Sequence, residues 1–320
     1  YAPFEDAMFD AAQRLCAESD LLIGHFFMHP LQIAAEKAGL PYVSVLLSHA
    51  VVPSAYDHPI GVPVFGKTGN RLLWWLTKAL INKAMLHYPN RLRRQLGTPL
   101  TKDILTQVWI PQPLTLLAVS SQLCRRQPAW PASVQVCGFL DMPNIEVEGK
   151  IPETLAAFLQ AGEAPLYMTF GSWMPRDIAG QTDTLNLLTQ AATLAGCRAI
   201  IQSPSAQDCG FRSDDRLLYI SAAPHHAIFP HCSAIVHHGG AGTTQSATLA
   251  GKPSIVVAHI GEQEHWAREL HRTGIAGKQA KRRNVTAEAL AQQIRLVRNA
   301  PQMAAKAKAV AEAMKHENGV

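Results

Sequence analysis

Short apolar runs alternate with longer amphipathic stretches along most of the chain. Asp20–Gly24, Tyr42–Leu47, Thr115–Val119, Val134–Val136, Leu166–Phe170, Arg198–Gln202, Leu217–Ile220, Ala234–Val236 and Ser254–Ala258 read as buried strands. Helical patterning marks Pro3–Glu18, Leu31–Ala38, Asn70–Leu96, Glu153–Gln160, Thr182–Ala195, Gln245–Ala250, Glu264–Arg272, Thr286–Arg298 and Pro301–Lys315. Gly39, Gly251 and Gly274 stand where three of these helices must stop. Strands alternating with helices of this length predict an α/β fold with doubly wound parallel sheets, whose ligands bind at the C-terminal ends of the strands.

Two stretches interrupt the alternation. Ala50–Gly66 is rich in Pro and Gly and reads as a loop. Asp141–Pro152 is polar and carries Pro143 and Pro152, so it divides the chain. The expected organisation is a first domain over 1–141, a linker over 142–152 and a second domain over 153–320. The stretch Asn70–Leu96 is cationic, with Trp74 and Trp75 among Leu, Ile and Met. It reads as a helix whose apolar face packs on the sheet. Peripheral contact with a membrane through residues 70–96 is the other reading, because Trp beside Lys and Arg is an interfacial signature.

The densest signal is Ala234–Pro253. The apolar run breaks into His237, His238, Gly239, Gly240, Ala241 and Gly242, followed by Thr243 and Thr244 and then a helical segment. A strand, a glycine turn, a hydroxyl cap and a helix present backbone N–H groups and a helix N-terminus to a phosphate. Gly239, Gly240 and Gly242 are read as taking backbone angles closed to other residues. Thr243 or Thr244 is read as the cap, and His238 as a ring N–H donor.

This stretch resembles the donor-binding motif of the GT-B glycosyltransferases that use nucleotide sugars. That family holds bacterial sterol, macrolide and flavonoid glucosyltransferases and plant secondary-product enzymes. Gly171-Ser172, Pro224-His225 and Glu262-Gln263 extend the resemblance in the family's order. It covers most of the chain and is stronger in the second half. It implies a GT-B fold: two Rossmann-like domains facing across a cleft, here with the first incomplete, the first for the acceptor and the second for the donor. It also implies an inverting, metal-independent transfer of a hexose, glucose above all, from a UDP- or dTDP-sugar. The acceptor would be a hydroxyl of a small lipophilic molecule of sterol, polyketide or flavonoid type. Gly171, Ser172, His238, Gly239, Gly240, Ala241, Gly242, Thr243 and Thr244 then meet the diphosphate. Glu262 and Gln263 meet the hexose, and Pro224 and His225 the nucleobase.

The sequence departs from the family in two places. Relatives carry a Trp two residues before the Pro of the base-binding turn, where this chain has Ala222. The family's general base, a His near the start of the full-length protein, would lie upstream of residue 1. His25 stands near the place of that base's acidic partner. His25, His29 and His49 lie at strand C-terminal ends, as expected for an acceptor pocket. A non-catalytic nucleotide-sugar-binding protein and a sugar-nucleotide epimerase of the same fold are the alternative readings.

Composition narrows the rest. Hydrophobic residues make up 48% of the 320 and charged residues 17%, enough apolar surface for two cores. The net charge of +5 comes without a basic stripe or a nucleic-acid reader motif, so no nucleic-acid partner is expected. No cofactor or metal is expected either: the chain has no Asp-x-Asp pair, and His225, His226, His231 and Cys232 fit no zinc spacing. The six cysteines form no CxxC pair. With no secretory signal, the reading is a cytoplasmic protein with reduced thiols. Tyr1 at the start and a helical pattern running into the last residues read as a fragment.

Overall fold

A computed structural model describes residues 4–62, 65–141, 151–222, 224–317 and 319 of the chain. Most of the expected 142–152 linker therefore lies outside the described residues. Backbone contacts divide the chain into two units, Tyr1–Gly138 and Phe139–Asn318.

The first unit runs α1 (Glu5–Ala17), β1 (Leu22–His25), α2 (His29–Ala38), β2 (Tyr42–Leu46), α3 (Gly66–Met85), α4 (His87–Gln95), β3 (Leu114–Leu117) and β4 (Val134–Val136). The four strands are parallel, in the order β1-β2-β3-β4. Phe9 and Ala12 of α1 and Ile33, Ala34 and Ala35 of α2 bury against Leu22, Tyr42 and Leu92. Gly39 ends α2 in the left-handed region at φ 69°, where its N–H closes on the carbonyls of Ala35 and Glu36.

The stretch expected as one helix over 70–96 is two, and only part of its apolar surface packs: Trp74 is buried and Leu73, Ile81 and Met85 are half-buried. Asn70, Trp74, Lys78 and Asn82 of α3 turn inward. Asn70 Nδ2 donates to the Ala55 carbonyl and Trp74 Nε1 to the Asp57 carbonyl, while Lys78 Nζ pairs with Asp103 at 2.6 Å. Asn82 Oδ1 accepts the Ile104 N–H. Leu72, Trp75, Leu76 and Leu80 are left exposed.

The second unit runs α5 (Glu153–Gln160), β5 (Leu166–Thr169), α6 (Ile178–Ala195), β6 (Ala199–Gln202), β7 (Leu217–Ile220), α7 (His225–Ile228), β8 (Ala234–His237), α8 (Ala241–Leu249), β9 (Ser254–Ala258), α9 (Gly261–Thr273), β10 (Ala280–Lys281), α10 (Ala287–Arg298) and α11 (Pro301–Met314). All six strands are parallel, in the order β10-β9-β8-β5-β6-β7.

Strand residues alternate between two faces with period two. Leu166, Met168, Ala199, Ile201, Ala234 and Val236 pack on Leu185 and Leu188 of α6 and Leu290 and Ile294 of α10. Tyr167, Ile200 and Ile235 pack on Leu155 and Phe158 of α5, with Phe229 and Ala247. Both faces are covered, which is why these strands read as continuous apolar runs. The strand order reverses between β5 and β8: later strands are added outward from each. Loops leaving adjacent strands at such a reversal run to opposite faces and leave a crevice at the strand C-termini. All six cysteines are free thiols.

Candidate functional site

β8 ends at His237, which is fully buried, and its Nδ1 accepts the Gly239 N–H at 3.1 Å. That bond places the ring proton on Nε2. Burial, then the neighbouring His238 and His225, push the pKa down to about 3, so His237 is neutral and fixes the turn that follows. Gly239 sits at φ 89°, and a Cβ there would come within 2.9 Å of Val256 Cγ1 and 3.0 Å of the Gln263 carbonyl oxygen. Both conformation and space demand glycine at this position.

The other two glycines of the motif differ from expectation. Gly240 has an ordinary φ of −67°, and a Cβ there would collide with His238 Nε2. Gly242 lies within the helix, and a Cβ there would meet nothing within 4 Å. The helix also starts earlier than the expected Gln245. α8 begins at Ala241, with Gly240 as N-cap and no side-chain cap bond. Thr243 and Thr244 are therefore first-turn residues rather than caps. The buried Thr244 hydroxyl has no partner among the described residues. A helix N-terminus flanked by glycines, with no side chain over its amides, is a place an anion can occupy.

The loop after β5 meets this turn. Gly171 takes φ 51°, and a Cβ there would lie 3.3 Å from His238 Cε1. The His238 imidazole thus sits between Gly171 and Gly240, with its Nδ1 buried and without a partner among the described residues. Burial, then His259 and His225, hold its pKa down at about 4. At neutral pH it is a neutral ring with one N–H, not a cation. Thr169 pins the loop: its hydroxyl accepts the Gly171 N–H at 3.0 Å and donates to Gln202 Oε1 at 2.8 Å. Ser172 is exposed beside it.

The strand after the phosphate-type helix brings the third element. Gln263 is buried in the first turn of α9, and its Oε1 accepts the His259 N–H at 2.7 Å. That carbonyl closes the β9–α9 turn, leaving the amide N–H groups as the donors of this side chain. Glu262, next to it, has its carboxyl pKa raised by burial. The His259 ring lies 5.0 Å from that of Phe170 and 5.5 Å from that of Trp173, bracing the Gly171 loop from the side. Trp266 is fully buried and is a packing residue.

His225 opens α7 behind Pro224, stacked on Phe229 at 4.4 Å and edge-on to Tyr167. Ala222 is exposed, at the edge of a cavity of about 440 Å³ past the ends of β6 and β7. Ser203, Arg212, Ser213 and Ser221 line its polar side. The Cys232 thiol bonds the Ile228 carbonyl, and burial pushes its pKa up to about 12, so it stays protonated.

The sequence reading missed His237 and His259 as site residues. The doubled histidine at the end of β8 was the available signal for the first. Nothing local marks the second, whose contacts come from the loop after β5.

In the first unit, His29 lines an apolar cavity of about 230 Å³ with Phe27, Met85, Tyr88, Pro89, Ile104 and Trp109. Its Nε2 is bound to the buried Glu5 at 2.6 Å, and Glu5 also holds Arg91 Nε at 2.7 Å. His25 Nδ1 accepts the Phe27 N–H at 3.4 Å, and burial lowers its pKa. His49 is buried 6.3 Å from the Trp130 ring and is not among the residues lining that cavity.

Residues 190–318 match the erythromycin biosynthesis protein CIII-like C-terminal domain. The chain is 30% identical over 249 residues to glycosyltransferase GtfE of Amycolatopsis orientalis, covering 75% of this chain and 57% of that protein. It is 30% identical over 225 residues to the uncharacterized glycosyltransferase ML2348 of Mycobacterium leprae, covering 69% and 52%. The chain thus spans about half the length of the curated relatives it matches. Among solved structures, the glycosyltransferase VinC in complex with dTDP superposes with a TM-score of 0.65 at 19% identity, over 98% of this chain and 71% of that one. The kitacinnamycin glycosyltransferase gives 0.69 at 16% identity, over 98% and 78%.

Proposed function

From a chain that belongs with the GT-B nucleotide-sugar glycosyltransferases, we propose a protein that moves a hexose from a UDP- or dTDP-sugar to a hydroxyl of a small lipophilic acceptor. One observation carries this reading. The bare N-terminus of α8 opens at the reversal between β5 and β8, with the His238 ring wedged between Gly171 and Gly240. As the glycosidic bond breaks, negative charge gathers on the leaving diphosphate, and donors fixed in advance stabilise it. The first-turn amides of α8, the Thr243 and Ser172 hydroxyls and the His238 N–H are such donors. With these in place the charge is met without a metal.

The Gln263 amide and Glu262 carboxyl are assigned to the hexose, and the cavity beside Ala222 to the nucleobase. The apolar cavity lined by His29 takes part of the acceptor. His29 is itself held by Glu5, so His25 is the better placed of the two to exchange a proton.

Calorimetry with UDP, dTDP and UDP-glucose tests the donor half. His238→Ala should weaken all three roughly tenfold, the worth of one hydrogen bond to a charged group. Gln263→Ala should weaken UDP-glucose more than UDP. Unchanged affinity in the first variant, or equal losses in the second, removes the assigned roles. Release of UDP or dTDP in the presence of an aglycone panel separates transfer from binding alone.

A further inference from the structure

α3 packs Trp74 inward and leaves a second apolar row exposed. Trp75 is 65% exposed, Leu80 67% and Leu72 57%, whereas its neighbour Trp74 is 7% exposed. At 100° per residue, Leu72, Trp75, Leu76, Ala79 and Leu80 fall on one side, opposite Asn70 and Trp74. The inward polar groups are consumed by the loops around Ala55, Asp57, Asp103 and Ile104. The outward apolar row therefore has no packing role within the described residues. Phe65, exposed one residue before the helix, extends it.

The charge around this row has one sign. No Asp or Glu occurs from residue 65 to residue 96. Arg71 and Lys83 are exposed beside the row, whereas Lys67 lies on the other side of α3 with its ammonium 4.5 Å over the Tyr56 ring. Of the arginines of α4, Arg91 pairs with Glu5 and Asp6 and Arg93 with Glu36, whereas Arg94 is exposed; the apolar row itself belongs to α3. An exposed apolar row with Trp, bordered only by cations, is complementary to an anionic bilayer surface. A second copy of the chain fits less well. Laid parallel or antiparallel, two α3 helices would oppose Arg71 and Lys83 to themselves or to one another. No helix among the described residues is long and apolar enough to cross a membrane, so α3 would lie in the interface plane.

We propose that the outer face of α3 docks the chain peripherally on anionic lipid, with Trp75, Leu76 and Leu80 in the headgroup–acyl boundary and Arg71 and Lys83 on lipid phosphates. The proposal stands apart from the donor site: nucleotide binding can be intact while docking fails, and the reverse.

Co-sedimentation of the 320-residue chain with vesicles tests it. Equimolar phosphatidylcholine and phosphatidylglycerol should bind the chain, and phosphatidylcholine alone should not. Arg71→Glu with Lys83→Glu should lower partitioning by about tenfold or more, since each basic residue near such a surface contributes roughly 1 kcal/mol. Trp75→Ser with Leu80→Ser should abolish sedimentation while circular dichroism stays unchanged, as both side chains are exposed. Acyl-brominated lipid should quench fluorescence in the parent chain and not in Trp75→Phe. Three results overturn the proposal: no sedimentation with anionic vesicles, binding indifferent to both double variants, or a dimer that the Trp75→Ser, Leu80→Ser variant dissolves.

Discussion

His237 is a proton-uptake group that the folded chain suppresses. Its ordinary pKa of 6.5 falls to about 3 in the interior. The unfolded chain therefore binds a proton across that interval and the native chain does not. Stability is fully present above about pH 6.5 and falls as the pH drops towards 3, by up to about 1.4 kcal/mol per unit. His238, lowered to about 4, adds to the same slope. His237→Asn keeps an acceptor for the Gly239 N–H but cannot titrate. Urea denaturation at neutral and mildly acidic pH should show a shallower loss in this variant than in the parent; an identical loss would mean that His237 is not the buried titrating group. These roles were only half legible. The doubled histidine was visible in the sequence, but which ring faces the core follows from the parity of β8, where His237 pairs with Thr169 and Val256 inside the sheet.

At the scale of the element, the strand–turn–helix at β8 and α8 was read correctly in kind and misread in detail. The pattern predicts a glycine loop followed by a hydroxyl cap at Thr243 or Thr244. The chain instead caps α8 with Gly240 and runs a glycine through its first turn. Gly240 is a favoured cap against which the His238 ring packs, whereas propensity argues against Gly242, where a Cβ would meet nothing within 4 Å. Two substitutions separate the roles. Gly239→Ala meets a positive φ and two close contacts and should cost about 1–3 kcal/mol. Gly242→Ala has open space and helical geometry, so it should stabilise the fold by about 0.4–1 kcal/mol while placing a methyl where a ligand would lie. Thermal melts and nucleotide titrations of both variants check this; a Gly242→Ala chain that binds UDP as the parent does would place the ligand elsewhere. The helix α3 illustrates a different limit. Its periodicity was plain, but the side facing water was not, because the partners of Asn70, Trp74, Lys78 and Asn82 lie in distant loops.

For the whole molecule, the alternation of strands and helices carried the architecture, since both faces of the six-stranded sheet are covered and a buried strand leaves an unbroken apolar run. Strand order was not readable from it. The order β10-β9-β8-β5-β6-β7 is what brings together three loops far apart in sequence, near Gly171, Gly239 and Gln263. Sugar transfer by this chain requires that convergence to be a seat for a diphosphate. Amide hydrogen exchange across the chain, with and without saturating UDP or dTDP, tests it most directly. Slowed exchange concentrated at Gly171–Trp173 and Gly239–Thr244, with little change in Tyr1–Gly138, is the predicted result. Nucleotide that binds while those amides exchange at an unaltered rate, or that fails to bind at millimolar concentration, would contradict it.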